Sequence, residues 1–154
     1  MTPNDFVFYE NNLLNQSEYK KWYELFAEDG VYWVPGSSKQ VDPYSEMSIA
    51  LENKLLLSLR IERLDHHRAF SLQPAVRGLR VVQAQAQATE PDEAGMVQVD
   101  TVVLYTEHQA NRTELFPAKV SYSLRPKESS WEIVMKKVDL LGVDGYLPGI
   151  QLFV

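Results

Sequence analysis

Two of the three histidines stand side by side in Asp65-His66-His67-Arg68, with an acid before them and a base after. An aspartate beside an imidazole does acid–base chemistry when a pocket buries the pair and tunes it. Asp65 with His66 or His67 is therefore the candidate dyad, of the kind a dehydratase or isomerase uses. A metal ion asks for more, because its ligands must converge. Neighbouring side chains diverge on a strand and on a helix alike, so His66 and His67 do not readily share one ion. His108, next to Glu107, could complete a two-histidine, one-carboxylate set from a distance, though nothing in the spacing requires it. The plainer alternative is a polar loop with Asp65 and Arg68 in solvent. No Gly-x-Ser-x-Gly elbow, glycine-rich phosphate loop or His-Glu-x-x-His motif occurs. Trp22, Tyr23, Phe26, Tyr32 and Trp33 could make a ring-binding platform, but their spacing suits core packing.

The elements that must position these residues change character along the chain. Asn4 or Asp5 is expected to cap a first helix carrying Phe6, Tyr9, Leu13 and Leu14. Ser17 is expected to cap a second helix that Asp29-Gly30 ends. Val31-Tyr32-Trp33-Val34 then reads as a short strand stopped by Pro35. After a polar loop, Ser48 begins a third helix with Leu51, Leu55, Leu59 and Ile61 toward the core. From residue 76 the period becomes two. Val82, Ala84, Ala86 and Ala88 alternate with glutamines. Val97, Val99, Thr101, Val103 and Tyr105 share one face, which puts Asp100 on the other. Phe116, Ala118, Val120, Tyr122 and Leu124 share a face of the next strand.

Two phase changes interrupt this alternation, from Leu79 and Val81 to Val82 and Ala84, and from Ile133 and Met135 to Val138 and Leu140. A β-bulge leaves such a mark and bends a long strand. The expectation is an α+β fold in one domain, 1–154, with N-terminal helices packed in a long, strongly curved, mainly antiparallel sheet. The last residues, Leu152, Phe153 and Val154, are apolar and must pack into this sheet or against another chain.

Composition narrows the function classes. The chain is 45% hydrophobic over 154 residues, enough for a real core in one domain. Its net charge is −6, with a pI near 5.1, which argues against nucleic acid or an anionic membrane as partner. Cysteine is absent, so there is no disulfide and no thiolate site for zinc or an ordinary iron–sulfur cluster. No signal peptide and no membrane span is legible, and a cytoplasmic location suits the whole.

Several segments together resemble one family. They are EYKKWYELFAEDGVYWVPG (18–36), RIERL (60–64) with AFSLQPAVRGLRVV (69–82), FPAKVSYSLR (116–125) and WEIVMKKVDLL (131–141). Their order and spacing resemble the small, beta subunit of aromatic-ring-hydroxylating dioxygenases, the Rieske non-haem iron oxygenases. The resemblance implies a cone-shaped NTF2-like (cystatin-like) fold. It implies a partner alpha subunit that carries the Rieske [2Fe-2S] cluster and the mononuclear iron, with no cofactor on this chain. It implies assembly as α3β3, with beta–beta contacts and a homotrimer as the form this chain would take alone. The function it implies is structural support for an oxygenase in aromatic compound degradation, with no catalytic, cofactor-binding or metal residue here. The sequence departs from the family after Pro74-x-x-Arg77. Arg80 and then Gln83-Ala84 stand where many members carry a histidine and a Ser-Asn-like pair, so no specific alpha–beta contact is carried over. The stand-alone enzyme with an Asp65–His66 or Asp65–His67 pair in the cone is the alternative.

Overall fold

The computed structural model describes residues 1–66, 72 and 74–154. Helix α1 (Pro3–Asn15) is capped by Thr2, ahead of the expected Asn4 or Asp5. The Thr2 hydroxyl accepts from the Asp5 N–H at 3.1 Å and the Asp5 carboxylate accepts from the Thr2 N–H at 3.3 Å. Asp5 thus stands at the third helical position of a capping box, with Pro3 in the first turn. Helix α2 (Tyr19–Glu24) stops early, and Phe26–Val34 is strand β1. The expected helix end at Asp29-Gly30 is instead a bulge within β1. That strand advances from Phe26 to Val31 while its partner advances only from Ile133 to Met135. Gly30 permits the close approach, since a Cβ there would lie 2.6 Å from the Ile133 carbonyl oxygen.

The third helix also starts later than its sequence suggests. Ala50–Asn53 forms β2, paired with β1, and α3 spans Lys54–Leu64 with the Asn53 side chain accepting from the Leu56 N–H. The delayed start turns the helix, so Leu57 and Ile61 face the core while Leu55 and Leu59 face out.

The remaining strands are β3 (Arg77–Val82), β4 (Gln87–Ala88), β5 (Val97–Gln109), β6 (Arg112–Lys127) and β7 (Ser130–Leu140). The sheet order is β2-β1-β7-β6-β5-β3, with β4 also on β5, and every pairing except β1 with β7 is antiparallel. The inward faces of β5 and β6 are the expected ones, from Val97 to Tyr105 and from Phe116 to Leu124. The phase change in β7 is a bulge. Opposite Ser123 and Leu124, the register skips Val134, so Ile133, Lys136, Val138 and Leu140 all face inward. The phase change near Val82 has another cause. The β3 ladder is unbroken from Arg77 to Val82, with Arg80 inward and Leu79 and Val81 outward. The strand then ends, and the glutamine–alanine stretch resumes pairing only at Gln87.

The sheet is curved around its contents. Four strand spacings separate β1 from β3, ~19 Å in a flat sheet. Yet Tyr32 of β1 and Arg80 of β3 hydrogen-bond main-chain groups of two adjacent residues, Val154 and Phe153. Side chains standing off a flat sheet would not converge so. Helices α1, α2 and α3 and the segment 150–154 fill the concave side, giving the α+β cone.

Candidate functional site

The interior of the cone is where buried charges gather, in two clusters. The first joins α1 to β7. Glu10, fully buried, receives the Lys136 ammonium at 2.6 Å and the Trp22 indole N–H at 2.5 Å on one oxygen. Its other oxygen receives the Asn11 amide at 2.8 Å and the Tyr122 hydroxyl at 3.0 Å. Lys136 is also fully buried, and its head group lies 5.4 Å from the Tyr122 ring centre. Burial pushes the Lys136 ammonium below the ordinary lysine value, and Glu10 opposes that shift. Burial, then the Glu10 charge, pushes the Tyr122 phenol well above its usual value.

The second cluster lies toward the open end and is built around residues 151–154. One Glu107 carboxylate oxygen accepts from the Tyr105 hydroxyl and from the Gln151 and Leu152 N–H groups, each at 2.8 Å. Arg60 donates to the Leu152 carbonyl at 2.9 Å and pairs with Glu52 at 2.5 Å. Arg80 donates from Nε to the Phe153 carbonyl at 3.0 Å and from Nη2 to the same oxygen. Its guanidinium stacks 4.5 Å from the Tyr105 ring centre. The Asn15 amide binds both the N–H and the C=O of Arg80, and so occupies the outer edge of β3. The Tyr32 hydroxyl accepts from the Val154 N–H at 3.0 Å, and burial raises its pKa to about 12. Burial raises Tyr105 further still.

Phe153 sits at the centre, fully buried. Its ring packs 4.5 Å from Trp22 and 5.6 Å from Tyr32, with the Arg60 guanidinium 4.2 Å above it. Of the aromatic cluster of the sequence, Trp22, Phe26 and Tyr32 are core, and Trp22 and Tyr32 pack on Phe153, whereas Tyr23 is half-buried under Lys54 and Trp33 meets Ser48 and Lys137. This arrangement holds charge and excludes water. A cleft of about 420 Å³ lies outside it, at the cone mouth, lined by Tyr32, Ile49, Glu52, Arg60 and Gln151 among others.

The residues singled out by sequence lie elsewhere. Asp65 follows α3 as its C-cap, and Asp65 and His66 are both exposed. His67 and Arg68 lie outside the described residues. His108 and Glu107 diverge, since Glu107 faces inward while His108 meets Thr113 at 2.7 Å on the other face. Asp100 is exposed, as its parity requires. Of the interior charges the sequence offers only Glu107, as a ligand beside His108; it does not point to Glu10, Lys136 or an inward Arg80. Glu107 continues the parity of Val97 to Tyr105, and Lys136 falls inside the phase change of β7, so both left a trace.

A Rieske cluster takes two thiolates and two imidazoles, and this chain has no cysteine to offer one. A mononuclear iron needs a convergent triad. Among the described residues no group of three or more His, Cys, Asp or Glu side chains could hold a metal ion. The described residues therefore fit neither group.

A family model described as the ring hydroxylating beta subunit matches residues 9–142. The chain belongs to that family. Solved structures share the beta-subunit fold. A chain of naphthalene 1,2-dioxygenase, solved with indole bound in the active site, superposes with a TM-score of 0.81 at 19% identity, over 97% of this chain and 82% of its own. The beta subunit of benzoate 1,2-dioxygenase from Burkholderia mallei gives 0.73 at 19% identity, over 96% and 92%. An NTF2-like protein with a cystatin-like fold from Novosphingobium aromaticivorans gives 0.59 at 14% identity, over 90% and 79%. At these identities the likeness is one of fold. No curated protein is significantly similar in sequence. No helix among the described residues is long and apolar enough to cross a membrane.

Proposed function

We propose that this chain is the non-catalytic assembly subunit of a multicomponent aromatic-ring-hydroxylating dioxygenase. In this role the whole chain acts as one domain in the cytoplasm. It binds an alpha subunit that holds the Rieske cluster and the mononuclear iron, in an α3β3 complex that degrades aromatic compounds.

The observation that carries this role is the filled cone. Where a stand-alone enzyme of this shape would keep a substrate, this chain has Phe153 and the Glu10–Lys136 pair, all at 0% exposure. Every oxygen of that pair is engaged, so none waits for a substrate proton. The outer surface supports a partner. Leu79 and Val81 of β3 lie beside Leu104 of β5, and Leu104 lies opposite Pro117 of β6, with Leu115 two residues before it. Leu79, Val81 and Leu115 are each more than half exposed, an apolar sheet face of the kind that another chain covers.

The test is a variant of the complex carrying Asp65→Ala, His66→Ala and His67→Ala together. The proposal expects specific ring-hydroxylating activity within a few fold of the parent. A loss of several orders of magnitude with assembly intact would assign the chemistry to this chain and end the proposal.

A further inference from the structure

Residues 146–154 make no main-chain-to-main-chain hydrogen bond with any described residue. Among the described residues, side chains make the polar contacts that hold the segment. Glu107 takes two successive N–H groups, Arg60 and Arg80 each give to a carbonyl, and Tyr32 takes a third N–H. These four side chains come from β5, α3, β3 and β1. A ligand is held in this way, by convergent side chains reading main-chain groups, with an aromatic ring seated in a pocket. The link to the rest of the chain is irregular, and is fastened at Asp144, whose carboxylate accepts from the Ser38 N–H and hydroxyl. Residues 141–149 form turns and irregular chain, carry Gly142, Gly145 and Gly149, and expose Leu141 and Tyr146. A short covalent link gives such a segment a local concentration of at least about the millimolar range, which favours occupancy in cis.

We propose that the cone interior is a peptide-binding site for a short bent segment with an aromatic anchor, filled here by residues 150–154 with the bend at Leu152, and that the same sequence supplied in trans replaces it. The ligand class is an unbranched peptide that offers two successive N–H groups to Glu107, two carbonyls to Arg60 and Arg80, and a phenylalanine between Trp22 and Tyr32. The inference stands independently of the assembly role, because it concerns only contacts within this chain.

The test uses the full chain with a specific protease site inserted between Gly145 and Tyr146. The protein is folded first and cut afterwards, so refolding is not at issue. An isotopically labelled synthetic peptide of residues 146–154 is then added and followed by native mass spectrometry, with circular dichroism as a check on the core. The expected results are that the cut fragment stays bound, that the labelled peptide displaces it, and that a peptide carrying Phe153→Ala competes at least ~100-fold more weakly. Three results overturn the proposal. They are a core that unfolds on cleavage, a fragment that never exchanges or never rebinds, and a Phe153→Ala peptide that competes equally.

Discussion

Glu10→Gln leaves the Lys136 ammonium buried, with its hydrogen-bonded counter-ion gone. Such a charge has two options, to stay and bear its desolvation or to shed its proton. Shedding the proton caps the cost. At pH 7 an ordinary lysine, with pKa ~10.4, loses its proton at about 5 kcal/mol, and at pH 9 at about 2 kcal/mol. The destabilisation of Glu10→Gln should therefore be largest near neutrality and shrink by about 1.4 kcal/mol per pH unit wherever this cap applies. Lys136→Met leaves the carboxylate with three neutral donors, from Trp22, Asn11 and Tyr122. Breaking a buried pair from one side costs about 3–5 kcal/mol, and between pH 7 and 9 this variant lacks the titrating lysine. The double variant should cost at least about 2 kcal/mol less than the sum of the singles, since neither charge is then stranded. Urea unfolding of the three variants at pH 7, 8 and 9 reads all of this, and a domain of this size has about 5–15 kcal/mol to lose. Single-variant costs below 1 kcal/mol, or a pH-independent cost for Glu10→Gln, would refute the reasoning.

Three further outcomes follow from the buried tyrosines, the exposed sheet face and the Phe153 ring. Burial raises the pKa of Tyr32, Tyr105 and Tyr122, so their stabilisation is complete below pH ~10 and lost as pH climbs past it, with Tyr32 alone removing about 2–3 kcal/mol by pH 12. The lowered pKa of Lys136 works in the opposite sense, because its burial cost fades toward pH ~10.4, so net loss begins above that. Ultraviolet titration should find three of the eight tyrosines ionising only as the chain unfolds, and eight free phenols in a folded chain would contradict this. Val81→Asp and Leu104→Asp, on the exposed sheet face, should change the stability of the isolated chain by less than about 1 kcal/mol while preventing recovery of the complex, read by size-exclusion chromatography. Phe153→Ala should cost about 3–5 kcal/mol in urea unfolding, and a cost under 1 kcal/mol would mean the ring is not seated as described.

Much of the fold was legible because β5 and β6 alternate cleanly and half-buried strands have a period of two. The burial of Leu152, Phe153 and Val154 was legible too, since three apolar residues in succession need cover. The boundary of α2 was not. Trp22, Tyr23 and Phe26 fit a helical face, and Asp29-Gly30 serves a helix end and a strand bulge equally well. Ser48 misled for a similar reason, because the pairing of β2 with β1 depends on a partner distant in sequence. The interior charges were hidden by the assumption that charge lies outside. Arg80 stands between the apolar Leu79 and Val81, and only the α1 and tail contacts reveal that the apolar pair faces out. Asp65-His66-His67 drew attention by residue type, yet Asp65 and His66 lie beyond the end of α3 and outside the core.

The most direct test of the assembly role is purification of this chain from its native cells, followed by native mass spectrometry and iron analysis of what accompanies it. The account predicts a larger, iron-containing subunit in equal stoichiometry with this one. Recovery of an iron-free homo-oligomer alone would contradict it.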